Sequence, residues 1–150
     1  MLNPIGEARP VVRALVILAA AFAMVPAVDA QLVINEIMNN PSAVSDTDGE
    51  WLEIFNPTGS AIDINGWTIQ DLGIDSHLIV NGAPLLVPAG GFVVLGRNAD
   101  SAVNGGVSLD YQYSDFFLAN GDDEVLLLDL GMVEIDRVEY DGGPDFPDPT

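Results

Sequence analysis

The chain contains no cysteine and no lysine. It has one histidine, His77, and four basic side chains, all arginine: Arg9, Arg13, Arg97 and Arg137. Against these stand 23 acids, for a formal net charge of -19 over 150 residues. Each scarcity excludes something. Without cysteine there is no disulfide framework and no thiolate metal site. Without lysine there is no lysine-based catalysis, and one histidine cannot build a multi-histidine metal site. A chain this acidic is repelled by the phosphate backbone, so nucleic acid is excluded as a partner. A polybasic dock onto anionic lipid is excluded likewise. What remains is a soluble, acidic, single-domain protein whose natural electrostatic partners are cations.

The first thirty residues read as an address. Residues 1–13 are weakly positive, and Ala14–Val25 is an apolar run of twelve residues without a charge. The run is shorter than the roughly 18 residues of a spanning helix. Val28 and Ala30 stand three and one residues before Gln31, the small-residue pattern of a signal-peptidase site. The expectation is a signal peptide over 1–30 and export, to the outside or to the cell surface. No membrane partner is expected once the signal is cleaved. Its removal takes away two arginines, Glu7 and Asp29, so the remaining 120 residues keep the whole -19. A domain of that length buries roughly 65–70% of its unfolded surface and can fold on an ordinary core.

No helical period of useful length follows Gln31. Short β-branched and aromatic runs alternate with Asn, Asp, Gly and Pro clusters. They predict strands over 32–38, 51–56, 66–71, 92–96, 107–113, 124–130 and 133–140, with a weaker one over 77–80. In 51–56, Leu52 and Ile54 share one face and Trp51, Glu53 and Phe55 the other. In 133–140 the apolar parity switches from Val133 and Ile135 to Val138 and Tyr140, which predicts a bulge near Asp136-Arg137. The last two strands read as a hairpin around Gly131. Many short strands with regular turns predict an all-β sandwich or barrel. Residues 141–150, rich in proline and aspartate, read as a linker or as a domain end cut short, with more chain expected beyond.

Six segments in order suggest a family. They are Ile34-Asn35-Glu36-Ile37, Glu50-Trp51-Leu52-Glu53-Ile54-Phe55-Asn56-Pro57, the run from Ile62 to Ile69 around Gly66-Trp67, and Leu85 to Phe92 with Pro88-Ala89-Gly90-Gly91. Then come Leu118-Ala119-Asn120-Gly121 leading into Val125–Asp129, and Ile135–Tyr140. Together they resemble the lamin tail domain as found in secreted bacterial proteins, over residues 31–140. The resemblance implies an immunoglobulin-like β-sandwich, preceded here by the cleavable signal peptide. In animal lamins this domain binds partner proteins and chromatin. In bacteria it accompanies nucleases, other hydrolases or surface-attachment segments. The family brings no catalytic constellation. Two features depart from it: the chain stops where a further short strand commonly follows, and its acidity removes the chromatin role.

The residues themselves supply plain roles. Trp67 is expected in the core and Trp51 on the outer face of its sheet. The Asn56 side chain should close the turn at Pro57. Glu36 and Glu53, acids within apolar strands, are expected to face water. The best candidate metal site is Asp46, Asp48 and Glu50, which alternate around Gly49. Calcium takes six to eight oxygen ligands, and a tight acidic loop can converge several on one centre. The match to an EF-hand loop fails, because starting at Asp46 puts Pro57 where the closing glutamate belongs. A solvated acidic turn explains the same residues. Asp122-Asp123-Glu124 reads as a charged approach to a hairpin. No Gly-x-Ser-x-Gly elbow is present, and His77 reads as a surface or loop histidine. The expected function is an exported, non-catalytic module that binds a protein or surface ligand. The alternatives are a calcium-stabilised surface module, or an accessory to a hydrolase or nuclease region beyond residue 150.

Overall fold

The computed structural model describes residues 32–141. The expected signal peptide and the 142–150 segment lie outside the described residues. Ten strands and one helical turn follow in order. They are β1 (Val33–Met38), α1 (Asp46–Gly49), β2 (Trp51–Phe55), β3 (Ile62–Asp63), β4 (Thr68–Gln70), β5 (Ser76–Leu78), β6 (Leu86–Val87), β7 (Phe92–Gly96), β8 (Tyr111–Gln112), β9 (Asp123–Leu128) and β10 (Glu134–Tyr140). One four-stranded sheet runs β1-β2-β7-β8 and the other β10-β9-β4-β5, with a small β3-β6 ribbon beside them. The two open sheets are consistent with the expected immunoglobulin-like sandwich. No helix among the described residues is long and apolar enough to cross a membrane.

The core follows from strand alternation. Leu52 and Ile54 of β2, Val93 and Leu95 of β7, Ile69 of β4, and Val125 and Leu127 of β9 turn inward and are buried. Burying side chains of this size stabilises by about 1.5–3 kcal/mol each before entropy is counted. Ile34 and Ile37 are both buried although three positions apart. A straight strand would put them on opposite faces, and the register shift between Ile34 and Glu36 reconciles them. β10 does the same with a shift between Glu134 and Asp136, one step ahead of the expected position. That bulge aims Asp136 across the sandwich, where its carboxylate accepts the Ile34 N–H at 2.6 Å. Glu36 is exposed, and Glu53 accepts a hydrogen bond from Asn35, so both acids stay out of the core.

Three expectations shift. The strand over 107–113 shrinks to Tyr111–Gln112, because side chains take most of the ladder positions before it, leaving the Asp110 N–H to the Val94 carbonyl. Asn104 binds both backbone groups of Val107, and the Asp110 carboxylate accepts the Val94 N–H. The strand over 66–71 starts at Thr68, because Gly66 has a φ of +88° and Trp67 N–H turns back to the Ile64 carbonyl. Trp67 accordingly packs only partly buried at the margin of the core. The deep aromatics are Tyr113 and Phe116, edge to face at 5.7 Å. The Tyr113 hydroxyl is buried with no hydrogen-bond partner among the described residues, and burial raises its pKa. An unmade buried hydrogen bond costs about 1–3 kcal/mol. Tyr113→Phe is therefore expected to hold or raise the melting temperature, and a clear drop in a calorimetric scan would refute this.

Candidate functional site

Three loops meet at one end of the sandwich. The first carries α1, a single turn in which the Ser45 carbonyl accepts the N–H groups of Asp48 and Gly49 at 3.0 and 2.8 Å. Gly49 is required there, since a Cβ would lie 2.4 Å from Val44 Cγ2 and 2.8 Å from Pro41 Cγ. The second loop follows β7. Its organiser is buried Asn104, whose amide donates to the carbonyls of Asn98 and Val107 and accepts from the N–H groups of Gly106 and Val107. The third runs through Phe116, Phe117 and Leu118.

The three candidate metal ligands are near one another in sequence, but each carboxylate has a donor of its own. Asp46 accepts from Asn120 Nδ2 at 2.9 Å. Asp48 accepts from Asn98 Nδ2 at 2.9 Å and Ser45 Oγ at 2.8 Å, and these bonds, Asn98 first, hold its carboxyl below the usual range. Glu50 is 3% exposed and pairs with the Arg97 guanidinium at 3.3 Å, while the Leu118 N–H also donates to it. Burial pushes the Glu50 carboxyl up, and Leu118 and Arg97 oppose that rise. Among the described residues no group of three or more His, Cys, Asp or Glu side chains is placed to hold a metal ion. The acids act as ties between loops: Asp48 to the second, Asp46 to the third and Glu50 to both.

The guanidinium of Arg97 also lies 4.2 Å from the centre of the Phe117 ring. Arg97, Asn98 and Asn104 were not singled out from sequence. A signal existed for Arg97, one of only two basic side chains after residue 30.

Beside Gly49 and the second loop lies a recess of about 290 Å³, walled mainly by Met38, Pro41, Val44, Trp51 and Val107. Its lining is mostly apolar, and Asn40 and Ser42 supply polar atoms at the edge. Trp51 is on the outer face of its sheet, as expected, and half-buried against this loop. A preformed apolar hollow with a few polar groups, carried on loops over a rigid sheet, is the usual form of a binding site.

His77 differs from its expected surface or loop setting. It sits half-buried in β5, with Nε2 2.8 Å from the Tyr111 hydroxyl and Nδ1 accepting the Ser114 N–H. Burial lowers its pKa, while Ser114 and Asp115 oppose. Both ring nitrogens are thus engaged in joining the two sheets.

A comparison with curated proteins gave no match. The family model described as Lamin Tail Domain matches residues 26–142, most of the chain, and the chain belongs to the lamin tail domain family.

Proposed function

We propose that this protein is an exported, non-catalytic binding module whose recess receives an apolar side chain of a partner protein. The observation that carries the reading is the hollow itself, lined by Gly49 of α1 and by Asn104, whose hydrogen bonds fix the second loop. The family is one of non-catalytic immunoglobulin-like folds, which supports the binding role. Export rests on the leader pattern of residues 1–30. The amide- and hydroxyl-bearing rim gives a partner backbone something to bond, so affinity and orientation have separate sources.

Selection of a random displayed-peptide library on the purified protein tests this. Enriched peptides are expected to share a leucine-, methionine- or aromatic-type anchor, and to lose binding to Val44→Asp, which puts a charge on the recess wall. Peptides without a common anchor, or with equal affinity for Val44→Asp, would reject the recess as the site.

A further inference from the structure

β5 is the terminal strand of its sheet. Its ladder to β4 pairs Ile69 with His77 and continues through Ile79 N–H to the Trp67 carbonyl at 2.8 Å. At the other end Asp71 N–H donates to the Asp75 carbonyl at 3.0 Å. Backbone direction alternates along a strand, so Ser76 and Leu78 present their N–H and C=O groups away from β4. The next such group, Val80 N–H, donates to the Tyr111 hydroxyl at 2.9 Å, which ends this open stretch.

The face beside that edge is apolar. Leu78 is 53% exposed, Val80 65%, Leu130 74% and Met132 59%. They belong together: Thr68 is the register partner of Leu78, and its hydroxyl lies 3.9 Å from Met132 Sδ. A Cβ on Gly66, at the entry to β4, would lie 2.6 Å from a Leu130 methyl. Monomeric proteins usually guard an edge with lysine or proline. Here neither residue stands in β5, and the neighbouring face carries leucine, valine and methionine.

We infer that the β5 edge takes an extended, basic segment of a partner protein as an added strand. Alternate apolar side chains of the segment lie on Leu78 and its neighbours, and its backbone bonds Ser76 and Leu78. The inference rests on the binding-module reading but not on the recess. Charge chooses the occupant. A second copy of this chain would bring another -19, whereas lysine or arginine in the segment meets Asp71 and Asp75 at the hairpin end of β5. Adding a strand supplies backbone affinity, and the apolar strip supplies register.

The test uses the full chain and a short synthetic peptide of alternating valine and lysine, with amide exchange read by NMR. With peptide at ten times its dissociation constant, exchange at Ser76 and Leu78 is expected to slow about tenfold. His77, already in the ladder, should change little. Of two peptides N-methylated on alternate residues, one should lose binding and the other keep it. A glutamate-for-lysine peptide should not bind. Leu78→Pro removes the outward N–H and the Leu78 side chain but no bond to β4, so it should keep its melting temperature and lose the peptide. Should it fail to fold, Leu78→Lys serves the same purpose through repulsion. Unchanged exchange at Ser76 and Leu78, or equal binding of the glutamate peptide, would overturn the inference. So would a dimer in sedimentation with Leu78 protected without peptide. Loss of the peptide in Val44→Asp would move it to the recess. Recess-binding peptides from the library, with an inert β5 edge, would leave the binding-module reading standing and remove this inference alone.

Discussion

Arg97→Ala is expected to cost about 3–5 kcal/mol, the usual result of removing one member of a buried ion pair. The magnitude follows from the position of Glu50. Its side chain is 4% exposed and Arg97 is 15% exposed, so water replaces the lost partner only in part. The same substitution removes the cation over Phe117, which is itself about half exposed and contributes less. A melting temperature lowered by roughly 10–20 °C is the expected readout. The loss should depend on pH. Burial already raises the Glu50 pKa in the folded protein, and loss of Arg97 removes a group that opposes the rise. A carboxyl raised on folding binds its proton more tightly in the native state. Stability is therefore lost as pH rises from the ordinary glutamate range through the raised value, and regained on acidification. Arg97→Ala should show a steeper fall in that window than the parent, and Glu50→Gln should flatten it. Arg137→Ala is the control. Its partners Glu134 and Glu139 are exposed, and surface pairs contribute little.

Asn56→Ala is expected to be the other large loss. Asn56 is fully buried, and its amide donates to the carbonyls of Ser60 and Val87 at 2.8 and 2.9 Å. Its side-chain oxygen accepts the Thr58 N–H at 2.9 Å, which closes the expected turn at Pro57. One side chain thus pins the end of β2 to β6 and to its own following loop. Alanine leaves the Val87 carbonyl buried without this donor. Each orphaned group costs about 1–3 kcal/mol, so a combined loss of about 2–5 kcal/mol is expected in chemical denaturation. Asn56→Asp is a sharper probe, because it sets a carboxylate against two carbonyl oxygens. It should be at least as destabilising at neutral pH and partly relieved where the new carboxyl protonates. Equal stability of all three proteins would refute this role.

Much of the architecture was legible because the core strands alternate cleanly. Leu52 and Ile54 against Trp51 and Glu53 gave β2 its inner face, and the parity switch between Ile135 and Val138 marked the bulge. Other features were not legible, for definite reasons. Two-residue strands such as Ile62–Asp63 and Leu86–Val87 are too short to carry a period. The run 107–110 has strand composition, but Asn104 takes both backbone groups of Val107 and the Asp110 carboxylate takes the Val94 N–H, which leaves only the Asp110 N–H bonded to the Val94 carbonyl. At the site, three alternating acids fit either a calcium loop or a solvated turn, and their spacing did not choose between the two. Their separate partners, Asn120, Asn98 and Arg97, lie far along the chain, Arg97 being 47 residues from Glu50. Spacing within a loop reports which acids are near each other. It does not report which distant donors the fold brings to them.

Whether the recess beside Trp51 receives an apolar side chain can be read from the tryptophan itself. The most direct measurement is Trp51 emission in a Trp67→Phe background, where Trp51 is the one tryptophan left. N-acetyl-leucinamide serves as the probe. A saturable change with a dissociation constant on the order of millimolar is expected, absent when Val44→Asp is added. A linear, non-saturating response, or the same response in Val44→Asp, would contradict it.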